Sequence, residues 1–194
     1  MVILSAKRFI PISESTLSVA AKLAERAGIP LREFIESVLA EVLKAMQFRS
    51  NIIEVISLSD MLDDLRRAGG VILPQSFVYR LVESLDEEVF AELLNEVRRT
   101  ASWYGTLAKV KRGPDLETLR LVLNVWFPDM NVSIVKGGNG YRVIAASSNQ
   151  PVRVTNLARA ALEELCKALD LEVKDIQVSR GIIKVSVRCS THGE

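Results

Sequence analysis

The chain has 194 residues, of which 25 are basic and 24 acidic, so its net charge is only +1. Hydrophobic residues make up 48% and charged residues 25%, which indicates a folded protein with a sizeable core and excludes a disordered one. Two cysteines, Cys166 and Cys189, are too few for a disulfide framework or a four-thiolate metal site. Apolar runs are too short for a spanning helix or a signal peptide, so we expect a cytoplasmic protein with no membrane partner.

The small net charge hides a strong segregation along the chain. Residues 51–97 hold three basic and ten acidic side chains, whereas residues 98–113 hold five basic side chains and no acid. The five are Arg98, Arg99, Lys109, Lys111 and Arg112. They flank Trp103 and Tyr104, and cations beside aromatic rings are typical of nucleic-acid surfaces. We treat this segment as a candidate anion or nucleic-acid patch; the alternatives are a structural helix end, whose dipole favours cations, or a contact with the acidic segment of a second subunit.

The first 46 residues have the pattern of a short strand and two helices. After the strand Lys7–Ile12, apolar residues recur with helical spacing on either side of Gly28. They are Leu17, Ala20, Leu23, Ala24 and Ala27, and then Phe34, Ile35, Val38, Leu39, Val42, Leu43 and Met46. Ser13 can cap the first helix, Gly28 can end it, and Pro30 can begin the second. A unit of this size cannot bury so wide an apolar stripe alone, so we expect a homodimer.

Lys7 to Met46 resembles the ribbon-helix-helix family of the Arc and MetJ type. The resemblance rests on the strand, on Leu17, and on the segments Ser13-Glu14-Ser15, Ala27-Gly28-Ile29 and Glu33-Phe34-Ile35. It implies an obligate homodimer whose two strands pair into an antiparallel ribbon. Such a ribbon enters the major groove of double-stranded DNA.

The resemblance also implies which residues contact DNA. Strand alternation turns Lys7, Phe9 and Pro11 outward, toward the bases. Lys7 can reach guanine acceptors, whereas Phe9 can offer only apolar contact, for example to a thymine methyl group. Free backbone amides at the start of the second helix favour a phosphate, although Pro30 removes one of them. The expected DNA contacts are Lys7, Arg8, Phe9 and Arg32.

The middle region, residues 51–112, reads as mostly helical. Ile52–Ile56 is either a strand or the end of the preceding helix. Three helices follow: from a cap at Ser59 to Ala68, from Gln75 to Glu83, and from a capping box at Ser84 and Glu87 to about Arg99. None of the acidic residues of this region has the spacing of a calcium loop or of a catalytic pair.

Residues 113–194 alternate between helices and hairpins. Helices are predicted from a cap at Asp115 to Trp126 and from Thr155 to Leu169, and strands at Val132–Lys136, Tyr141–Ala146, Glu172–Val178 and Ile182–Val187. The order predicts an antiparallel sheet with helices on one face. A strand follows the glycine-rich turn Gly137-Gly138-Asn139-Gly140, which argues for a hairpin and against a P-loop.

The C-terminal region is loosely similar to the small-molecule-sensing domains of the 4-vinyl-reductase and heme-nitric-oxide-binding group, which implies a small-molecule effector. The cysteine and histidine ligands used by some of those domains are absent, and His192 is the single histidine. We therefore expect no metal and no cofactor.

Together these patterns predict an α+β protein with three domains, residues 1–50, 51–112 and 113–194. The first hypothesis is a dimeric DNA-binding protein, a transcriptional regulator whose C-terminal domain senses a ligand or builds oligomers. The alternative is an assembly protein that uses the helical hairpin only to dimerise and sets Phe9 and Pro11 against protein. No nucleophile–base pair, metal cluster or cofactor loop is evident, so no catalytic residue is assigned and an enzyme is not expected.

Overall fold

The computed structural model of the chain describes residues 10–48, 51–138 and 140–189. These residues form helices and one four-stranded antiparallel sheet, which confirms the mixed class and the C-terminal sheet. The chain divides into two compact units, residues 1–56 and residues 57–194.

The elements follow one another in a simple order. The helices are α1 (Glu14–Ala27), α2 (Leu31–Met46), α3 (Ile52–Arg67), α4 (Gln75–Ser84), α5 (Glu87–Arg112), α6 (Leu116–Trp126) and α7 (Val152–Ala168). The strands are β1 (Asn131–Gly137), β2 (Gly140–Ala146), β3 (Leu171–Ser179) and β4 (Ile182–Cys189). Helices α4 and α6 and both hairpins lie where the sequence predicts them.

Three predicted helix starts are wrong. Helix α7 begins at Val152, three residues before the predicted Thr155, with Pro151 at the cap position. In the other two cases a different side chain provides the cap. Ile52–Ile56 is the beginning of α3 and not a strand, and the Asn51 side chain accepts a hydrogen bond from the backbone N–H of Glu54 at 3.2 Å. Asp86, rather than Ser84, caps α5, because its carboxylate accepts the N–H of Val89 at 2.8 Å.

Helix α5 is also longer than predicted, since it continues to Arg112 instead of ending near Arg99. Its second half is held by burial against α7. A Cβ atom placed on Gly105 would lie 2.6 Å from the Cβ of Ala168, so the glycine permits this close packing. The predicted boundary at residue 113 therefore falls inside the second compact unit.

In the first unit, α1 begins and ends as the sequence predicts. The Ser13 side chain accepts the N–H of Thr16 at 3.3 Å. Gly28 is left-handed, with φ 69°, and the N–H of Ile29 reaches the carbonyl of Ala24 at 3.2 Å, as in a Schellman motif.

The described residues do not support the predicted ribbon. Residues 10–12 form no strand, and Lys7–Phe9 lie outside the described residues. A ribbon of this type is paired between two chains, so one chain by itself supplies no partner for its backbone groups.

In the second unit the strands pair antiparallel in the order β1-β2-β4-β3. Buried apolar residues alternate with exposed ones along β2 and β4, as in a sheet covered on one face. The buried ones are Val143, Ala145, Ile183, Val185 and Val187. Helix α7 packs on β3 and β4, α6 packs on β1, and α5 packs on α7 as a further layer. Over the described residues, no helix is both long enough and apolar enough to cross a membrane.

Candidate nucleic-acid interface

Of the predicted DNA contacts, Arg32 is the one the structure describes, since Lys7, Arg8 and Phe9 lie outside the described residues. Arg32 lies in the first turn of α2, and its Nε donates to Glu36 Oε1 at 2.9 Å. Both side chains are well exposed, and an exposed pair of this spacing contributes only about 0.5 kcal/mol. The guanidinium can therefore exchange its carboxylate for a phosphate at little cost.

The amino end of α2 carries no side-chain cap. Pro30 holds the cap position in an extended conformation and makes no capping hydrogen bond. The first backbone amides of α2 therefore lack a side-chain acceptor, and their dipole favours an anion. Arg32 adds a positive charge to this helix end.

The apolar residues of α1 and α2 are largely exposed within one chain. Among the described residues of the two helices, Ala24 is the one classed as buried. The exposed ones include Leu17, Leu23, Val38, Leu39, Leu43 and Met46, and Leu43 is 60% exposed. Burying a leucine or valine side chain is worth about 1.5–3 kcal/mol, so the two-helix unit leaves much of its available stabilisation unused.

The five cations of the predicted patch do not form a single surface. Arg98 and Arg99 lie in the middle of α5 rather than closing a helix, which corrects the expectation. At 1.5 Å per residue, Arg98 lies about 16 Å along the axis from Lys109. The other three cations occupy the last turn of α5, where the helix dipole favours them.

These last three cations are paired with acids of the same chain. Lys109 Nζ lies 2.5 Å from Asp170, Lys111 Nζ lies 2.7 Å from Asp64, and Arg112 lies 2.5 Å from Asp60. The hydrogen bond from Lys111 to Asp64 raises the pKa of the lysine above its usual value. The acidic segment thus meets the basic one within a single chain, which leaves less positive charge for a phosphate.

The two aromatic rings of the segment have different roles. Tyr104 is buried, contacts the ring of Trp126 at 5.6 Å and donates its hydroxyl to the carbonyl of Met61 at 2.8 Å. Burial raises the pKa of Tyr104 to about 12. Tyr104 is therefore a core residue whose ring cannot stack on a base. Trp103, in contrast, is 52% exposed and lies beside Val110 on the outer side of α5.

Sequence reasoning missed a second basic surface, which lies on the exposed face of the sheet. We call it the sheet basic face and define it by Arg142, Lys174, Lys184 and Arg188. Three of its members, all but Lys184, line a cleft of about 490 Å³ at the β1–β2 turn. Glu172 lies on the same face, where it pairs with Lys174 and stands in register with Arg188. The sequence does not reveal this surface, because its residues are scattered over more than forty positions in a region where acids nearly balance bases.

No protein-family model matches the chain, and no curated protein is significantly similar to it. The ribbon-helix-helix resemblance and the similarity to sensing domains thus remain predictions from the sequence.

Proposed function

We propose that the protein is a dimeric DNA-binding protein that regulates transcription in the cytoplasm. The observation that carries the proposal is the exposed apolar surface of α1 and α2. Among the described residues of these two helices, only Ala24 is buried. Such a surface needs a partner to become stable.

A second copy of the same unit is the partner we propose. Ile10 and Ile12, which precede α1, are exposed as well, so the segment before α1 presents apolar side chains in addition to those of the two helices. Two such segments placed antiparallel would satisfy each other's backbone groups and bury these isoleucines. The pair would form the ribbon that the sequence resemblance implies.

The ribbon is proposed to enter the major groove of double-stranded DNA. Lys7 and Arg8 would contact bases and phosphates, Phe9 would make apolar contact, and Arg32 would hold a phosphate at the start of α2. The second unit, residues 57–194, would sense a small-molecule effector or extend the assembly.

An assembly protein that does not bind DNA is the second candidate. The observation in its favour is an exposed apolar strip on α5, where Trp103 and Val110 border a cleft of about 570 Å³ and Val110 is 80% exposed. Exposed apolar patches of this kind commonly mark contacts with other proteins. In that case the N-terminal unit would serve only to dimerise.

Salt dependence of duplex binding tests the proposed function. The dissociation constant for a random-sequence duplex is measured from low to moderate salt for the wild type and for Lys7→Ala/Arg8→Ala. Each lost phosphate contact lowers the slope of log affinity against log salt by about 0.9, so two per protomer lower it by about 3.6 in a dimer.

The matched control is Arg66→Ala/Arg67→Ala, which removes two exposed arginines at the end of α3. Its slope should equal that of the wild type. Absence of duplex binding at low salt would contradict the DNA proposal and favour the assembly protein.

A further inference from the structure

A small cleft lies between α5 and α7, apart from the sheet basic face. We call it the α5–α7 cleft. It has a volume of about 220 Å³ and is lined by Leu94, Arg98, Asn156, Arg159, Ala160 and Glu163. Ala160 is buried and Leu94 is half-buried, whereas both arginines are exposed. The cleft therefore has an apolar base and a polar rim.

The polar rim holds hydrogen-bond donors that the chain itself does not fully use. Arg98 makes no ion pair among the described residues, and its Nη1 donates to Asn95 Oδ1 on the same helix at 3.3 Å. The half-buried side chain of Asn156 makes no hydrogen bond with a described residue. Arg159 donates through Nε to Glu163 Oε1 at 2.8 Å, and its two Nη atoms make no hydrogen bond within the described part of the chain. Three side chains thus keep donors that a ligand can use.

The side chains that line the cleft carry an excess of one positive charge. The guanidinium groups of Arg98 and Arg159 stand beside a single carboxylate, that of Glu163. Within five residues of either arginine, the other acids pair with basic side chains that do not line the cleft. These pairs are Glu96 with Arg99 and Glu164 with Lys167.

One carboxylate group is the ligand that this arrangement fits best. Its charge of −1 balances the excess of the cleft, and a guanidinium group presents parallel N–H donors that match the two oxygens of a carboxylate. The amide of Asn156 can donate to the same group. The cleft is smaller than the roughly 300–1,000 Å³ of pockets for drug-sized ligands, so the ligand is compact. Its apolar base favours a short hydrocarbon chain.

We propose that the α5–α7 cleft binds a small carboxylic acid in its ionised form. Arg98, Arg159 and Asn156 hold the carboxylate, and the hydrocarbon part contacts Leu94 and Ala160. All of these residues belong to the second unit, residues 57–194. The role of this ligand as the small-molecule effector rests on the proposed function, whereas binding of the anion does not.

A titration with sodium butyrate tests the site. Amide shifts of the ¹⁵N-labelled full chain are compared with those in sodium chloride at equal ionic strength, and butyrate-specific shifts should be concentrated around Arg98 and in the middle of α7. Arg98→Gln/Arg159→Gln should raise the dissociation constant about tenfold or more, because hydrogen bonds to a charged group are lost. The matched control Arg99→Gln/Lys167→Gln removes the same charge from the same two helices and should bind like the wild type. Absence of specific shifts in the wild type, or equal losses in the two variants, would overturn the proposal.

Other anions test whether the ligand is a carboxylic acid. From acetate to propionate to butyrate, each added methylene group should lower the dissociation constant by up to about fourfold, because it contacts the apolar base. Inorganic phosphate should bind more weakly than butyrate, because its charge exceeds the positive excess of the cleft. Tighter binding of phosphate, or affinity that does not depend on chain length, would overturn the assignment to a carboxylic acid.

Glu163 is a positioning residue in this proposal, because it holds Nε of Arg159 and does not contact the anion. Glu163→Gln keeps a hydrogen-bond acceptor for Arg159 and removes a negative charge from the cleft, so butyrate should bind more tightly than to the wild type. Weaker binding in this variant would contradict an anion at this site. Lys7→Ala/Arg8→Ala should leave butyrate binding unchanged, so that failure of DNA binding and failure of the cleft give different results.

Discussion

At the scale of single residues, burial decides what the polar groups of the second unit can do. Cys166 and Tyr104 are both buried, and desolvation raises the pKa of each to about 12. A cysteine with so high a pKa is a poor nucleophile near neutral pH. Ionisation of these two groups is therefore expected to affect the stability of the protein at alkaline pH.

Stability should therefore fall at alkaline pH. Because the folded state holds these two protons more tightly than the unfolded chain does, the stabilisation is complete below pH 9 and is lost as pH rises toward 12. Burial raises the pKa of Cys166 from 9.0 to about 12. The contribution of this thiol to the free energy of unfolding should therefore fall by about 2 kcal/mol between pH 9 and 10.5. Urea unfolding at several pH values measures the loss.

The control is Cys166→Ala/Tyr104→Phe, which should be less stable near neutral pH but less dependent on pH above 9. An equal alkaline loss in the variant and in the wild type would show that these groups are not its cause.

At the scale of elements, local signals were reliable where the chain caps itself. Ser13, Gly28 and Asp115 take the positions that the sequence predicts for them. The extent of α5 was not predictable, because its second half depends on α7, more than forty residues away. The competing acid Asp86 likewise replaces Ser84 as the cap of α5. Local sequence signals predict where these helices lie, whereas contacts with α7 determine how far α5 extends.

The turn between α1 and α2 offers a test at this scale. An added Cβ at Gly28 would meet no atom within 4 Å, so Gly28→Ala acts through the left-handed backbone alone. The substitution should cost about 1–2 kcal/mol, and Gly28→Asn should cost less, because asparagine tolerates this conformation better. Chemical denaturation of the full chain measures both.

Gly137→Ala is the matched control, since its Cβ also meets no atom and its φ is not left-handed. It should leave stability within about 0.5 kcal/mol of the wild type. A Gly28→Ala protein as stable as this control would show that the αL turn does not matter to the native state.

At the scale of the whole molecule, charge along the chain was a poor guide to the surface. In the most basic segment, Lys111 pairs with an acid of α3 and Lys109 pairs with an acid of the turn before β3. The sheet basic face draws instead on strands that look electrically balanced in sequence, such as the one around Arg142. Segment charge cannot show this, because pairing depends on which helices and strands become neighbours. The apolar stripe from Leu17 to Met46 was visible in sequence because both of its helices are local.

The claim on which the rest depends is that this stripe is shared between two chains. Sedimentation equilibrium of the full chain measures it most directly, in the wild type, in Val38→Glu and in the control Val152→Glu. Both valines are exposed on helices, but Val38 lies in the apolar stripe and Val152 begins α7. We predict that the wild type and Val152→Glu sediment at twice the mass of one chain, whereas Val38→Glu sediments at the mass of one chain. A wild type at the mass of one chain, or a Val38→Glu dimer as stable as the control, would contradict the account.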